Sequence, residues 1–241
     1  MSKIFITGST DGLGFLAAQH LLEEGHEVHL HARNKQRADD VKQKLGRETP
    51  LLIADLSKVN QIEKLASELN QRGPYDAIIH NAGVLSVASE IIFRVNVLAP
   101  YFLTKWVEKP KRLIYLSSSM HRGGKAFKDH LNIQNIDYSD SKLYVTTLMK
   151  FFAKQNPQLY VNAVDPGWVP TKMGGMSAPD NLQRGFETQV WLATSQDKEA
   201  LVSGKYFRHK RQQTPNPTVN SFSFQEQLVE TCETYLREST N

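Results

Sequence analysis

Cysteine is nearly absent from this chain of 241 residues, in which Cys232 is the single cysteine. One cysteine excludes an internal disulfide framework and a zinc site built from several thiolates. No apolar stretch approaches the roughly 20 residues that a transmembrane helix requires. The amino terminus also lacks a secretory signal, because its apolar run, Ile4–Ile6, leads directly into Thr7 and Gly8. We therefore expect a soluble cytoplasmic protein without a membrane partner.

A strong excess of one charge is also missing. Lysine and arginine number 29 against 25 aspartate and glutamate residues, a net charge of +4 that is spread along the chain. Such a spread predicts no nucleic-acid-binding face. His29 and His31 share one strand face and are interpreted as ordinary strand histidines, so we predict no metal site.

What the sequence does contain is an alternation of short apolar segments and longer segments of helical period. Strands are predicted at Lys3–Thr7, His26–Ala32, Pro50–Ala54, Tyr75–His80, Arg112–Ser117 and Leu159–Asp165. Helices are predicted at Leu13–Glu24, Lys35–Leu45, Ser57–Gln71 and Ser139–Gln155. This order indicates parallel strands joined by helical crossovers, with helices on both faces of the sheet. We expect a single doubly wound Rossmann-type α/β domain over residues 1–241, with about seven strands and a helix docked on it at about 223–238.

A glycine-rich turn joins the first strand to the first helix, with Gly8, Gly12 and Gly14 as its glycines. Gly8 permits a tight turn, Gly12 lets backbone approach a pyrophosphate, and Gly14 lets helix and strand pack closely. Glycines alone would fit an ordinary turn, but this position favours a dinucleotide site. Its candidate cofactor contacts are Gly8, Ser9, Thr10, Gly12, Leu13 and Gly14.

The choice between NAD and NADP is expected at the end of the second strand. An acid there would bind the 2′-hydroxyl of NAD, but the strand ends with Ala32 and Arg33 follows. A cation without an acid beside it suits a 2′-phosphate, so NADP(H) is favoured over NAD(H). The alternative is that Arg33 is an ordinary solvated arginine.

Tyr138 and Lys142 are four residues apart at the start of a predicted helix, which places them on one face. An ammonium group beside a phenol would lower the phenol pKa from about 10 and suit it to acid–base catalysis. By itself this spacing is a common accident.

Further motifs give the chain a resemblance to a known family. Leu116–Ser119 ends the fifth strand, His80–Gly83 ends the fourth, and Asn96 lies on the following helix. With the glycine turn, this order resembles the short-chain dehydrogenase/reductase family. Asp55-Leu56, Pro166–Thr171 and Ser203–Phe207 extend the likeness over nearly the whole chain, the last segment being similar to the retinol-dehydrogenase-like branch.

The resemblance implies an oxidoreductase that interconverts a carbonyl and an alcohol by hydride transfer with NADP(H). It implies Tyr138 as the general acid/base, Lys142 as its partner, Ser118 rather than Ser117 as the hydrogen bond to the substrate, and Asn96 as the holder of a proton-relaying water. The further cofactor contacts that it implies are Asp55, Leu56, Asn81, Ala82, Gly83, Tyr138, Lys142, Pro166, Gly167, Val169 and Thr171. A non-catalytic NADP(H)-binding regulatory protein of the same fold is the alternative.

The chain also departs from the family pattern. His80 replaces an asparagine, which we expect to be a structural change. Ala99–Lys111 is short where relatives form a dimer helix, which favours a monomer over a homodimer. The lid segment Lys172–Ala178 is brief and contains methionines, which suggests an open pocket for a small apolar carbonyl or alcohol. The basic stretch Lys205–Arg211 is interpreted as a solvated strand end, with an anion-binding patch as the alternative.

Overall fold

The computed structural model describes residues 1–127 and 131–239. Its strands are β1 (Lys3–Ile6), β2 (Glu27–Ala32), β3 (Leu51–Ile53), β4 (Ala77–His80), β5 (Arg112–Leu116), β6 (Tyr160–Asp165), β7 (Lys205–Arg208) and β8 (Arg211–Gln213). Its α-helices are α1 (Gly12–Glu23), α2 (Lys35–Leu45), α3 (Val59–Arg72), α4 (Ser89–Phe93), α5 (Ala99–Trp106), α6 (Tyr138–Gln155), α7 (Leu182–Thr194) and α8 (Phe222–Ser239). A π-helix, Arg94–Leu98, joins α4 to α5, and 3-10 helices cover Ser119–Gly123, Ile133–Asn135 and Pro217–Asn220.

The strands form one sheet in the order β3-β2-β1-β4-β5-β6-β7-β8. Strands β1 to β7 are parallel, which confirms the doubly wound fold predicted from the sequence. The sequence does not predict the additional strand β8, which is antiparallel to β7. His209 and Lys210 form the turn between them with φ of 51° and 60°. All of β8 is exposed, so no apolar alternation marks it in the sequence.

Alternate side chains of β5 enter two hydrophobic cores on opposite faces of the sheet. Leu113 and Tyr115 pack with apolar residues of α3, α5, α6 and α8. Ile114 and Leu116 pack with apolar residues of α1 and α7. Because helices cover both faces, both sets of side chains are buried, and the strand reads as a continuous apolar run.

The sheet order reverses direction between β1 and β4, which are neighbours although two strands separate them in sequence. In open α/β sheets the carboxyl ends of the strands on either side of such a reversal leave a crevice that binds ligands. The loops that follow β1, β4, β5 and β6 all lie at this edge. They contain most of the residues that the sequence selects as candidate site residues.

Two helical regions were less clear in the sequence. Between β4 and β5, Asn96 lies in the π-helix, which agrees with its expected place on a helix. Helix α7 is not predicted, because polar residues and Gly185 interrupt its apolar pattern. It forms nevertheless because Asn181 caps it and Phe186 and Val190 are buried against the sheet.

The carboxy-terminal helix α8 closely matches its predicted range. Its buried side chains Phe224, Leu228 and Cys232 join the core that also contains residues of α5 and α6. The Tyr101 hydroxyl on α5 donates a hydrogen bond to Glu233 of α8. Helix α8 therefore covers part of the outer surface of α5 and α6.

Two other features are absent from the described residues. Across 1–127 and 131–239, no helix has both the length and the apolar character of a membrane span. Over the same ranges, no three histidine, cysteine, aspartate or glutamate side chains cluster as a metal site would require.

Candidate active site

Side chains would not fit at two positions of the glycine loop that follows β1. A Cβ on Gly8 would lie 2.9 Å from Ala82 Cα, and one on Gly14 would lie 2.5 Å from the carbonyl oxygen of Gly8. Gly8 and Gly12 also have φ of 64° and 54°, in the left-handed region that favours glycine. The loop therefore presents bare backbone at the crevice, which fits close approach of a pyrophosphate.

The amino-terminal end of α1 faces the crevice beside this loop. The Asp11 side chain caps the helix by accepting a hydrogen bond from the Gly12 N–H at 2.9 Å. Leu13 and Gly14 follow in the first turn, where backbone N–H groups have no acceptor within the helix. These groups and the positive end of the helix dipole suit an anion. Thr10, just before the cap, is buried in the loop.

His31 on β2 supports the glycine loop from the protein interior. The Gly8 N–H donates to His31 Nδ1 at 2.9 Å, so Nε2 carries the proton and donates to the Ala54 carbonyl at 2.9 Å. Burial lowers the pKa of His31 to about 4, which keeps the ring neutral. The Ser9 hydroxyl also turns inward, donating to the Ile6 carbonyl and accepting from the His31 N–H, and the Ser9 N–H donates to the His31 carbonyl at 3.2 Å, so both donors of Ser9 are engaged within the protein. The sequence alone does not reveal this role of His31, because the parallel register of β1 and β2 creates it.

The loop after β4 is bonded to the glycine loop. Asn81 Nδ2 donates to the Thr7 carbonyl at 3.0 Å and to the Gly8 carbonyl at 3.1 Å. The Ala82 N–H donates to Thr7 Oγ1 at 3.0 Å. The two loops on either side of the crevice are thus held in one arrangement, and the Asn81 amide is already used in holding them.

The ends of β2 and β3 bring a cation and a carboxylate together. Arg33 follows β2 and is exposed, while Asp55 follows β3 and accepts hydrogen bonds from Ser57 N at 3.0 Å and Ser57 Oγ at 2.7 Å. Partial burial by itself would raise the pKa of Asp55. The hydrogen bonds from Ser57 and the positive charge of Arg33 outweigh this effect, so the pKa lies below its usual value. Along β2 no acid follows Ala32, and the acid whose pKa responds to the Arg33 charge is Asp55, after the neighbouring strand β3. Leu56 is buried in the core.

Tyr138 and Lys142 lie one turn apart at the start of α6, as their spacing predicts. A capping box fixes the first turn of this helix. Lys142 is buried, and its Nζ donates to the Leu116 carbonyl at the end of β5 at 2.7 Å. The same Nζ lies 5.3 Å from the centroid of the Tyr138 ring. The ammonium group therefore faces the ring of Tyr138 and the end of β5 together.

The pKa of Tyr138 differs from the expectation drawn from the sequence. Burial, with a contribution from the Asp165 carboxylate, raises it to about 12, whereas the Tyr–Lys spacing predicts a lower value. The reason is that Lys142 Nζ bonds to Leu116, and no hydrogen bond joins it to the phenol within the described part of the chain. Burial also lowers the pKa of Lys142 to about 8, and Asp165 opposes this shift. Asp165, which is buried at the end of β6, was not among the residues predicted from the sequence.

The two candidate serines after β5 have different surroundings. Ser117 is buried, and its Oγ lies 2.6 Å from Thr146 Oγ1 on α6. Ser118 is half-buried at the crevice and caps the 3-10 helix Ser119–Gly123, its Oγ accepting from the Met120 N–H at 3.2 Å. The surroundings of Ser118 leave its hydroxyl closer to solvent than that of Ser117.

Asn96 links the loop after β4 to α6. Its side-chain oxygen accepts from the Val84 N–H at 2.8 Å, and its Nδ2 donates to the Val84 carbonyl at 2.9 Å and to Ser141 Oγ at 3.0 Å. It lies in the π-helix, where the Ala99 N–H bonds to the Arg94 carbonyl five residues back. Such π-helical turns occur frequently at functional sites.

The loop after β6, which includes Pro166, is held by an ion pair that the sequence does not reveal. Gly167 has a φ of 83°, and a Cβ there would lie 2.4 Å from Asp180 Oδ2. That oxygen accepts from the Trp168 N–H at 2.7 Å and from the Arg208 guanidinium at 3.0 Å. Arg208 belongs to the basic stretch that was interpreted as solvated, and this interpretation is wrong for Arg208 because β7 lies beside β6.

The end of this loop and the lid that follows it contact both halves of the crevice. Thr171 lies against the glycine loop, its Cγ2 being 3.7 Å from the place of a Cβ on Gly12, and its Oγ1 accepts from the Gly174 N–H. Val169, beside it, is buried. On the other side, Met173 Sδ lies 4.0 Å from the Tyr138 hydroxyl. The lid thus spans from the glycine loop to the tyrosine.

Comparison with known proteins agrees with this arrangement. The family described as short chain dehydrogenase matches residues 2–181. The short-chain dehydrogenase chry4 of Gibberella zeae is 39% identical over 97% of this chain and 96% of its own length. Retinol dehydrogenase 14 of Mus musculus is 28% identical over 85% of this chain and 76% of its own.

A solved structure extends the likeness to three dimensions. A short-chain dehydrogenase of Escherichia coli CFT073, complexed with NADPH, is 25% identical with a TM-score of 0.69 and covers 87% of this chain and 97% of its own. Fold, motif order and the match over most of the chain agree with one another. The chain belongs to the short-chain dehydrogenase family of oxidoreductases and has retinol-dehydrogenase-like relatives.

Proposed function

We propose that this protein interconverts a carbonyl and an alcohol with NADP(H), using Tyr138 as the general acid/base. The observation that carries the proposal is the position of the Lys142 ammonium group. Its Nζ lies 5.3 Å from the Tyr138 ring centroid and 3.5 Å from where a Cβ on Gly83 would stand. One cation thus lies between the tyrosine and the loop of the dinucleotide crevice, where a nicotinamide ribose would bind.

The residues at the crevice fit a dinucleotide. When bound, the nicotinamide supplies or accepts the hydride. The bare backbone at Gly8 and Gly12 and the first turn of α1 would hold the pyrophosphate, and the end of β3 at Asp55 would lie toward the adenosine. Thr171 would approach the nicotinamide carboxamide from the lid.

NADP(H) is the favoured cofactor because of the residues after β2. Ala32 stands where an acid would bind a 2′-hydroxyl, and the exposed Arg33 follows. A guanidinium group binds phosphate oxygens with charge-assisted hydrogen bonds. The relative from Escherichia coli that is complexed with NADPH supports the same choice.

We propose that Tyr138 gives its proton to the carbonyl oxygen in the reductive direction. Its pKa of about 12 keeps the phenol protonated at neutral pH, which is the form that a general acid requires. The Ser118 hydroxyl would hydrogen-bond that oxygen as charge develops on it. Because the Asn96 side chain is engaged with Val84 and Ser141, a proton-relaying water would be held by the Asn96 backbone.

An apolar rim suggests the substrate class. Met120, Trp168 and Met173 are 49%, 57% and 44% exposed, and they belong to the loops around the Tyr138 hydroxyl. Polarizable thioethers and an indole suit an uncharged, largely apolar carbonyl compound. We therefore propose a small to medium apolar ketone or aldehyde, or the corresponding alcohol, as the substrate.

We also propose that the chain acts as a monomer and as one catalytic unit over residues 1–241. Helix α8 supports both points, because it covers the outer side of α5 and α6 through contacts such as Lys105 with Glu233, at 2.5 Å. A second copy would have to displace these contacts to pair on that surface.

The free, buried thiol of Cys232 suits a reducing compartment, and we propose the cytoplasm.

The test is to assay NADPH oxidation with a panel of aldehydes, ketones and quinones, followed by Tyr138→Phe. We expect the variant to lose at least about 1,000-fold in kcat/KM, the upper range of general acid catalysis, while its Kd for NADPH stays unchanged. Tyr160→Phe, which removes a hydroxyl outside the site, is the control. Tight NADPH binding without turnover of any carbonyl would instead support the non-catalytic alternative.

A further inference from the structure

His121 is fully buried in the turn that follows Ser118, the candidate catalytic serine. It lies in the 3-10 helix Ser119–Gly123, which follows Ser118 at the carboxyl end of β5, and its side chain has no exposed surface. The ring packs against Tyr206 of β7 with 4.7 Å between centroids. None of the roles assigned above uses this histidine.

The hydrogen bonds of His121 determine which ring nitrogen carries the proton. The Asn216 N–H donates to Nε2 at 2.9 Å, so Nε2 is the unprotonated acceptor. Nδ1 then carries the proton and donates to the Ser118 carbonyl at 2.6 Å. The His121 backbone N–H donates to the same carbonyl at 3.1 Å. The neutral ring thus connects the serine to a segment 95 residues away in sequence.

Other bonds join the same two segments. Asn216 Nδ2 donates to the Arg122 carbonyl at 3.2 Å, and the Arg122 guanidinium donates to the Thr214 carbonyl at 2.7 Å. The segment 214–216 follows β8 and leads into the 3-10 helix before α8. The turn that follows Ser118 is therefore hydrogen-bonded to residues 214–216, which come after β8, the last strand of the sheet.

We propose that His121 is a positioning residue, which orients the Ser118 hydroxyl by fixing the Ser118 carbonyl against the segment 214–216. The proposal rests on the proposed function, because it requires that Ser118 contacts the substrate. The Ser118 backbone is extended, with φ −165° and ψ 155°, and its carbonyl accepts from His121 twice. Rotation of that peptide would turn the hydroxyl away, and small misplacements of a catalytic group are costly to the rate.

A double-mutant cycle tests whether His121 acts through Ser118. We expect His121→Phe to lower kcat by about 10- to 100-fold, the usual effect of a residue that supports a catalytic group, with an unchanged Kd for NADPH. Combined with Ser118→Ala, it should cost nothing beyond the loss caused by Ser118→Ala alone. Multiplicative losses in the double variant would overturn the proposal. Full activity of Ser118→Ala would overturn it together with the serine role in the proposed function.

Conservative variants separate positioning from folding. His121→Gln offers an amide donor and an acceptor, so it should recover most of the activity that His121→Phe loses. Asn216→Pro removes the N–H that reaches Nε2 and is compatible with the φ of −53° at that position, whereas Asn216→Ala keeps the N–H. Both variants lose the side-chain bonds of Asn216 to Arg122 and Thr218, so their difference reports the N–H alone. We expect Asn216→Pro to resemble His121→Phe in kcat and Asn216→Ala to lose clearly less. Equal kcat values for the two Asn216 variants would count against the proposal.

The pH profile gives a readout that simple destabilisation would not move. Burial lowers the pKa of His121, the Ser118 carbonyl raises it, the Arg122 charge lowers it and the Asp165 charge raises it, for a net decrease. Tyr206 also faces the ring. Protonation of His121 would place an N–H on Nε2 opposite the Asn216 N–H, so two donors would face each other and the hydrogen bond between them would be lost. We expect kcat to show an acid limb below about pH 6.5 that His121→Gln lacks, and an unchanged limb in that variant would contradict the proposed role.

Discussion

Lys172 of the lid forms an ion pair with Asp11 of the glycine loop, with 2.6 Å between Nζ and Oδ2. Arg37 of α2 approaches the same carboxylate oxygen at 3.4 Å. Asp11 thus binds two cations at the place where we propose that the cofactor phosphates lie. Because both partners are substantially exposed, this cluster matters for the local field more than for stability.

Asp11→Asn should therefore strengthen NADPH binding. Asparagine keeps the helix cap but leaves the charges of Lys172 and Arg37 free to attract phosphate. We expect Kd to fall by about threefold at about 0.01 M salt and the gain to vanish near 1 M, where screening is strong. Asp39→Asn, an exposed carboxylate on α2, is the matched control. Weaker NADPH binding by Asp11→Asn would contradict this prediction, because it would mean that the ion pair between Lys172 and Asp11 helps cofactor binding more than the negative charge of Asp11 hinders it.

Arg33→Asp should change the cofactor preference. An arginine–phosphate bond is lost and an acid for a ribose hydroxyl is gained, so the ratio of kcat/KM for NADPH to that for NADH should fall by about 100-fold or more. Steady-state kinetics with both cofactors measure this ratio. Arg47→Asp makes the same charge change at an exposed position after α2 and should leave the ratio unaltered. A constant ratio in Arg33→Asp would remove Arg33 from cofactor selection.

Lys142→Met should abolish activity and stabilise the cofactor-free protein at neutral pH. Burial lowers the pKa of Lys142 to about 8, while the unfolded chain keeps a pKa near 10.5, so the charged lysine opposes folding below pH 8. Between these values the unfolded state binds more protons, and the natural protein gains stability as pH rises. We expect Tm of the variant to be higher by on the order of 5 °C at pH 7, with the gain shrinking toward pH 10.5.

The exposed Lys154 on the same helix provides the comparison for that experiment. Lys154→Met should not raise Tm at pH 7, because Lys154 is exposed and its ammonium group lies 4.3 Å from the Phe222 ring centroid. A Tm for Lys142→Met that lies below that of the natural protein at pH 7 would show that the bond to the Leu116 carbonyl outweighs the cost of burying the charge.

His31 should make the protein sensitive to acid. Its folded pKa of about 4 lies below the unfolded value, so its contribution is complete above about pH 6.5 and is lost as pH falls toward 4, by on the order of 3 kcal/mol in all. His31→Gln should be less stable at pH 7 but should lose less of its Tm between pH 6.5 and 4.5. His20→Gln, at a partly exposed position of α1 beside Phe186, is the control. Parallel curves for His31→Gln and the natural protein would contradict this account.

Short-range patterns carried most of what the sequence revealed. The glycine spacing, the four-residue interval from Tyr138 to Lys142 and the apolar runs of the strands are local features, and they predicted the fold. The resemblance to the family implied Ser118 as a candidate. Strand β8 lacked such a pattern, because its exposed residues Arg211–Gln213 bury nothing. Helix α7 was also missed, since its burial depends on a sheet face that other segments build.

The sequence by itself determined the parallel sheet, the glycine loop and the tyrosine–lysine pair, because each depends on residues a few positions apart. Only the tertiary structure decided which hydrogen bonds and which neighbouring charges these groups have. It placed Asp165 near Tyr138, Asp55 near Arg33 and His31 under Gly8. The physical reason is that the carboxyl ends of parallel strands meet at one edge of a sheet, so side chains far apart in sequence share burial, hydrogen bonds and charge there.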